Sequence, residues 1–365
     1  MTEIDVPAAA QRTAFAELLQ SAVAAHELIA YRGVLTPREL DAPGVESDAL
    51  TGAAAGHDLG WLRRVAVRGE DRFRWLSGMV TNMVNDLGPN AGAWNLVLNA
   101  QGRIQGDLTV WREDDHLELE ISADQYERLM AHFERFIIMD DVELVPLAGE
   151  AALGLTGPKA NEVLARVGLP VLSEAMTSTR VEWNGMNLRV SRDYGAAAAH
   201  YVLWAPETQL SKLWMYLRTA GAISIGAASI EAFRIAEGIP AYGIDIAERD
   251  LAQETSQMRA LHFSKGCYLG QEIVERIRSR GNVHRHLRQL ELDGPVPAPG
   301  TELMQEDGKP AGVVTSAAEL PLSSGVRIFA MGMIRAEAEL RDQTFTYTAG
   351  AATGTARILQ APAAF

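Results

Sequence analysis

The feature that most constrains this chain is a pattern that it uses twice. Val65-Ala66-Val67-Arg68-Gly69-Glu70-Asp71 reads as a strand, a glycine turn and an acidic helix start. Ala152-Leu153-Gly154-Leu155-Thr156-Gly157-Pro158-Lys159 repeats that order. Further on, the alternating run Leu117-Glu118-Leu119-Glu120-Ile121 leads into a helix start at Ser122-Ala123-Asp124. Its counterpart is Tyr201-Val202-Leu203-Trp204-Ala205-Pro206-Glu207, followed by a helix from Leu210 to Leu217. The two copies lie roughly 85 residues apart, the mark of a diverged internal duplication. A unit of this kind buries one sheet face under its helices, so each half is expected to be an α+β layer on a mostly antiparallel sheet. The halves are placed at about 61–147 and 148–228.

Before the first copy, Phe15, Leu18, Leu19, Val23, Leu28 and Ile29 recur at helical spacing and predict a helix over 12–31. Pro37 and Pro43 break that pattern, so 1–60 reads as an N-terminal helix and a connecting segment. Within the first copy, Phe73, Trp75, Leu76 and Met79 continue a helix. Trp94 to Asn99 and Ile104 to Trp111 form a hairpin around Gln101-Gly102-Arg103. Leu117 to Ile121 is expected to be a half-buried strand, Tyr126 to Phe136 a helix and Val142 to Val145 a strand. A third segment, 229–285, opens with a helix through Ile230, Phe233, Arg234 and Ile235 that ends at Gly238. From Leu290 onward short strands alternate with Asp-Gly, Pro-Gly and Ser-Gly turns, which predicts a small all-β domain over 286–365.

The third segment carries Lys265-Gly266-Cys267-Tyr268-Leu269-Gly270-Gln271-Glu272, with the only cysteine of the chain. Its glycines predict a sharp loop, and a helix follows Gly270. A thiol just before a helix N-terminus, with Lys265 close in sequence, sits where the thiolate is favoured. The competing reading makes Cys267 a small buried hydrophobe. Arg276, Arg278, Arg280, His284, Arg285, His286 and Arg288 follow at once. They form either a solvated helix end or an anion site beside the thiol.

The net charge of −14 argues against broad nucleic-acid binding. One cysteine allows no intramolecular disulfide and no cluster held by several cysteines of one chain, and it suits a reducing compartment. Met1 to Asp5 is acidic without a signal-peptide core, and no apolar run reaches the length of a membrane span, so a cytoplasmic protein is expected. There is no Gly-x-Gly-x-x-Gly after a strand and no phosphate loop, and His284-x-His286 lacks partners at metal-ligand spacing, so no metal site is expected. No spacing singles out His262 or His284 as a base for a Cys-His hydrolase.

The octapeptide resembles the Lys-Gly-Cys-Tyr-x-Gly-Gln-Glu signature of the YgfZ family of folate-binding proteins, relatives of the glycine-cleavage T-protein. Arg234 to Gly243, Gln253-Glu254-Thr255, Asn99 to Arg103 with Asp107, and Gly312 to Ser316 are similar to further segments of that family. The resemblance implies an α+β, T-protein-like fold: two duplicated lobes and a C-terminal β-barrel around a central hole that holds tetrahydrofolate. It implies Cys267, Lys265 and Asp107 as the reacting groups, and Asp107, Glu237, Tyr242, Glu254, Tyr268, Gln271 and Arg276 as folate contacts. Where the family has an acidic residue two before the glycine, this chain has Ala236, with Glu237 one position later and Glu254 as the substitute. The implied role is accessory: assembly or repair of iron–sulfur clusters, with iron–sulfur proteins or cluster-assembly factors as partners, supporting tRNA-modifying enzymes through Cys267. The alternatives are a tetrahydrofolate-dependent aminomethyl transferase centred on Asp107, and a noncatalytic folate sensor.

Overall fold

The computed structural model of the protein describes residues 11–20, 26–281 and 283–365. Helix α1 (Ala14–Gln20) begins where Thr13 Oγ1 accepts the Ala16 N–H, an N-cap bond. The expected helix does not extend to residue 31. Leu28–Tyr31 is strand β1, which pairs with β2 (Val34–Pro37) across Arg32 and Gly33, both at positive φ. Val23 lies outside the described residues.

The expected connecting segment is also structured. It holds helix α2 (Pro43–Gly52) and strand β3 (Ala55–Asp58). Pro43 starts α2 rather than breaking it, because proline's fixed φ suits the first helical turn.

The first lobe comprises β4 (Leu62–Arg68), α3 (Arg72–Met79), β5 (Gly92–Leu98), β6 (Ile104–Arg112), β7 (Leu117–Ser122), α4 (Ala123–Glu134) and β8 (Glu143–Leu147). Its antiparallel sheet runs β5-β6-β7-β4-β8. Val65, Val67, Leu117, Leu119 and Ile121 put one sheet face under Trp75, Leu76, Leu129 and Phe133 of the two helices. Each such fully buried side chain contributes about 1.5–3 kcal/mol.

The second lobe repeats the plan with β9 (Glu150–Thr156), α5 (Ala160–Val167), β10 (Thr177–Trp183), β11 (Met186–Asp193), β12 (His200–Pro206) and α6 (Leu210–Thr219). Its sheet order β10-β11-β12-β9 reproduces β5-β6-β7-β4. Strand β3, from ahead of the first lobe, extends it on the far side of β9, and short β13 (Ile223–Ser224) pairs parallel with β3.

Helix α7 (Ala227–Ala236) and, after the cysteine loop, helix α8 (Gln271–Arg280) lead into a closed barrel. The barrel is built from β14 (Arg285–Asp293), β15 (Glu302–Met304), β16 (Pro310–Leu322), β17 (Gly325–Arg335), β18 (Thr344–Ala349) and β19 (Ala352–Ile358), with the short helix α9 (Ala336–Glu339) after β17. Closure removes the exposed edges that such short strands would otherwise present.

Strand β7 differs from the half-buried strand expected of its alternation. All six residues are buried, Glu118 and Glu120 included. Its polar face meets the polar face of the second sheet. Arg189 of β11 places one guanidinium nitrogen 2.5 Å from Glu118 and another 3.1 Å from Glu113. Arg64 of β4 stacks 4.3 Å from the Trp204 ring, and Trp204 Nε1 donates to Glu120 Oε2 at 3.0 Å. The two lobes are therefore joined through a charged layer beside a small apolar cluster in which Leu62 packs against Ala152, Val202 and Trp204.

Candidate functional site: a cavity between the lobes

At one end of the charged layer lies a cavity of about 250 Å³. Both sheets contribute to its wall: Asp107, Thr109, Glu120 and Ser122 from the first, and His57, Thr156, Asp193, His200 and Val202 from the second. Tyr31, Arg32 and Trp61 come from and after the β1–β2 hairpin, and Arg234, Glu237 and Tyr242 from α7 and the turn beyond it.

Asp107 is held in place by two donors. Trp94 Nε1 and Gln125 Nε2 each donate to one of its carboxylate oxygens at 2.9 Å. Burial raises its pKa, opposed by these hydrogen bonds and by the charge of Arg32. A half-buried carboxylate held by two fixed donors is suited to hold an N–H group or a cationic amine. Arg259 flanks the same region, 4.5 Å from the Trp94 ring and 3.8 Å from that of Tyr194. Burial lowers its pKa to about 10.

On the opposite wall, His57 Nε2 lies 3.0 Å from Thr156 Oγ1, Thr156 Oγ1 lies 3.3 Å from His200 Nδ1, and His200 Nε2 lies 2.6 Å from Glu237 Oε2. Glu237 Oε1 also accepts the backbone N–H groups of Ala197 and Ala198. Beside them buried Glu120 and half-buried Asp193 form an acidic pair. Burial raises both, and the charge of Asp193 raises Glu120 further.

The residues expected from sequence divide into two groups. Asp107, Glu237 and Tyr242 line the cavity; Cys267, Lys265, Glu254, Tyr268, Gln271 and Arg276 do not. Cys267 is exposed on its loop. Lys265 does not stand as a free charge beside it: its ammonium donates to the carbonyls of Ser77, Val80 and Asn82 at 2.6–2.8 Å. Burial lowers the Lys265 pKa to about 7. Tyr268 is buried in the core between the first lobe and the barrel, its pKa raised by burial to about 12. Glu254 accepts the Leu251 N–H and pairs with Arg285, so it closes a 3-10 turn instead of substituting for the missing acid at 236. Gln271 is the first residue of α8, and Arg276 is exposed on that helix.

The basic run is largely neutralised within the fold. Arg285 meets Asp250 and Glu254, while His286 and Arg288 meet Glu339. The loop itself is shaped as its glycines require. Gly270 has φ +81°, and a Cβ there would lie 2.6 Å from the Asn99 carbonyl oxygen.

Arg32, His57, Trp61, Trp94, Asp193, Tyr194, His200 and Arg259 are cavity residues that the sequence reading missed. Trp94 carried a usable signal, because the β5–β6 hairpin pairs it with Thr109, two residues from Asp107. His57 and His200 carried none: they come together only through the pairing of β3, β9 and β12. Among the described residues, no group of three or more His, Cys, Asp or Glu is arranged to hold a metal ion, and no helix is long and apolar enough to cross a membrane.

Two duplicated α+β lobes with a cavity between them, followed by a closed barrel, define the aminomethyltransferase fold class. The family described as GCVT N-terminal domain matches residues 31–265, well over half of the chain, and the chain belongs to that family. The glycine cleavage system aminomethyltransferase T from Bartonella henselae superposes with a TM-score of 0.85 over 97% of this chain and 98% of that one, at 19% identity. An aminomethyltransferase of Thermoanaerobacter sp. (strain X514) is 23% identical over 299 residues, 80% of this chain and 81% of the relative. One from Rubrobacter xylanophilus is 27% identical over 300 residues, 80% of each. The family match ends two residues before Cys267.

Proposed function

We propose that this chain binds tetrahydrofolate in the inter-lobe cavity and acts as a YgfZ-type accessory protein. In that role it supports the assembly or repair of iron–sulfur clusters and, through them, tRNA-modifying iron–sulfur enzymes in the cytoplasm. The observation that carries the folate reading is Asp107, a half-buried carboxylate fixed by Trp94 and Gln125 in the cavity wall. The wall residues fit the group. Four of them, Arg32, His57, Trp61 and Asp193, carry a buried polar atom with no hydrogen-bond partner, three on nitrogen and one on a carboxylate oxygen. A pterin edge offers both donors and acceptors to such a set. At about 250 Å³ the cavity is smaller than the ~300–1,000 Å³ typical of sites that enclose a drug-sized ligand, which suits a bicyclic ring inside and its tail outside.

When bound, tetrahydrofolate supplies a ring nitrogen able to carry a one-carbon unit. Asp107 orients that edge and can hold its proton, while the aromatic side chains of Trp94 and Tyr242 exclude water. The accessory reading is supported by Cys267, exposed on the Lys265–Glu272 loop and open to a partner protein or a cluster. A second reading, tetrahydrofolate-dependent aminomethyl transfer, is favoured by Asp107 lying in the cavity wall and Cys267 outside it.

One experiment separates the two. Tetrahydrofolate is titrated against wild type, Asp107→Asn and Cys267→Ala by tryptophan fluorescence, and each variant is returned to cells lacking the protein. The accessory reading expects Cys267→Ala to bind folate normally yet fail to restore iron–sulfur enzyme activity. Full restoration by Cys267→Ala, with turnover of an amine donor lost in Asp107→Asn, would favour the transferase. Absence of folate binding by the wild type sinks both.

A further inference from the structure

The cavity wall facing Asp107 holds four groups in a hydrogen-bonded line, and its inner end is open. His57, Thr156, His200 and Glu237 are linked at 3.0, 3.3 and 2.6 Å. The sheet register produces this line. Thr156 on β9 stands opposite His200 of β12, and His57 lies two residues along β3 from the partner of Thr156 on the other side. Two glycines make room for the rings. A Cβ at Gly154 would lie 2.0 Å from the His57 ring, and one at Gly195 would lie 2.4 Å from that of His200. His57 is 4% exposed and lines the cavity, and its Nδ1 has no hydrogen-bond partner.

We infer that His57, Thr156 and His200 form a proton relay that sets whether the cavity meets its ligand with a hydrogen-bond donor or an acceptor at His57 Nδ1. The logic is the direction of each bond. When His200 is neutral, its proton sits on Nε2 toward Glu237. Nδ1 then accepts from the Thr156 hydroxyl, that oxygen accepts from His57 Nε2–H, and His57 Nδ1 is a bare acceptor. When His200 is charged, it donates from both nitrogens. The Thr156 hydroxyl then points the other way, into His57 Nε2, and His57 carries its proton on Nδ1.

The interconversion balances. A proton from solvent forms the His57 Nδ1–H bond as Nε2–H breaks toward Thr156 Oγ1. The original Thr156 O–H breaks as His200 Nδ1–H forms. One proton enters, and the positive charge comes to rest on His200 against Glu237.

The surroundings favour that end point. His200 faces Glu237 at the end of α7, Asp193 at the end of β11 and His57 on β3, with Phe233 against its ring. Burial lowers the His200 pKa, but Glu237 and Asp193 outweigh it and the net shift is upward. Arg259 acts on both carboxylates from the other side. Burial, followed by the charge of His200, pushes His57 down to about 3, offset in part by the Asp58 backbone, so His57 passes the proton on and does not keep the charge.

In its charged state the relay presents an N–H to a carbonyl or lactam oxygen of the cavity ligand. This ligand class rests on the folate reading above; the relay itself does not. The test therefore has two arms on the full chain. In the first, ¹⁵N-histidine NMR of the ligand-free protein follows the tautomer of His57 with pH. Wild type should pass from the Nδ1–H to the Nε2–H form as pH rises through the His200 titration. Thr156→Val should lock one tautomer throughout, and Thr156→Ser should restore the switch. A His57 tautomer that ignores pH, or one that still switches in Thr156→Val, overturns the relay. In the second arm, tetrahydrofolate affinity is measured against pH. It should fall roughly three- to tenfold across the same titration in wild type and Thr156→Ser but stay flat in Thr156→Val. A slope unchanged in Thr156→Val overturns the ligand assignment. If tetrahydrofolate fails to bind at any pH, the proposed function falls, and the NMR arm alone decides the relay.

Discussion

Arg189 of the second lobe and Glu118 of the first meet at 2.5 Å with both side chains fully buried, so one ion pair ties the two halves of the duplication together. Arg64 and Arg180 lie within 4 Å of the same carboxylate, at 3.5 and 3.9 Å. Burial opposes ionisation of Glu118, but Arg189, then His116 and Arg64, pull its pKa down to about 2.

Removing one partner takes away the shortest ion pair of the other and leaves its buried charge compensated only by longer contacts. Arg189→Met is therefore expected to destabilise the protein by about 3–5 kcal/mol, and Glu118→Gln by a similar amount. The double variant should recover part of the loss, which a denaturant double-mutant cycle measures. The folded pKa of Glu118 lies below the usual 4.5, so its contribution is present above about pH 4.5 and is lost as pH falls toward 2. Acid unfolding should thus begin later in wild type than in a variant lacking Arg189.

Asp107 has the opposite sign. Burial raises its folded pKa, so the ionised carboxylate costs stability once the pH exceeds its ordinary value. Asp107→Asn is expected to leave the thermal midpoint within a few degrees of wild type while weakening tetrahydrofolate binding about tenfold or more, as for loss of a hydrogen bond to a charged group. Calorimetry and a folate titration on the same preparation check both halves.

Lys265 is a structural residue by its contacts. Three backbone carbonyls of the segment that ends α3 and follows it accept its three protons. Lys265→Met strands those carbonyls, each at a cost of about 1–3 kcal/mol when buried. The variant should lose several kcal/mol in urea unfolding, and the cysteine loop should become sensitive to protease. A stable Lys265→Met with an intact loop would refute this account.

Cys267 is exposed and contributes nothing to the cavity wall. Cys267→Ala should change stability by less than about 0.5 kcal/mol. In the native wild-type protein a thiol-specific chromophore should titrate one equivalent at once, without unfolding.

Gly154 is required for space, since the His57 ring lies where its Cβ would be. Gly154→Ala should cost about 1–3 kcal/mol by overpacking and displace the His57 ring, seen as loss of the pH-dependent tautomer switch of His57. Gly88, with nothing within 4 Å of its Cβ position and no positive φ, is the control for bulk alone.

The chain by itself determined much of this architecture. The strand, glycine turn and helix at Val65–Asp71 and Ala152–Lys159 are local events. Their spacing carried the duplication, just as the late Gly-rich turns carried the barrel. The bend at Gly270 and the helix after it were equally readable, because they depend on backbone conformation and on apolar residues four apart.

Tertiary structure decided the rest. The alternation of Leu117–Ile121 reports that one face is polar, but not that this face is covered by another polar face, and so Glu118 and Glu120 read as half-exposed. Lys265 stands two residues from Cys267 in sequence, yet its ammonium is drawn inward by three carbonyls nearly two hundred residues earlier. Strand β3 joins the second sheet across the whole first lobe, and only that pairing brings His57 to Thr156 and His200. Periodicity records how each segment partitions between water and interior. It holds no information about which distant segment supplies that interior, and apart from the Trp94–Asp107 hairpin the cavity is made of such long-range meetings.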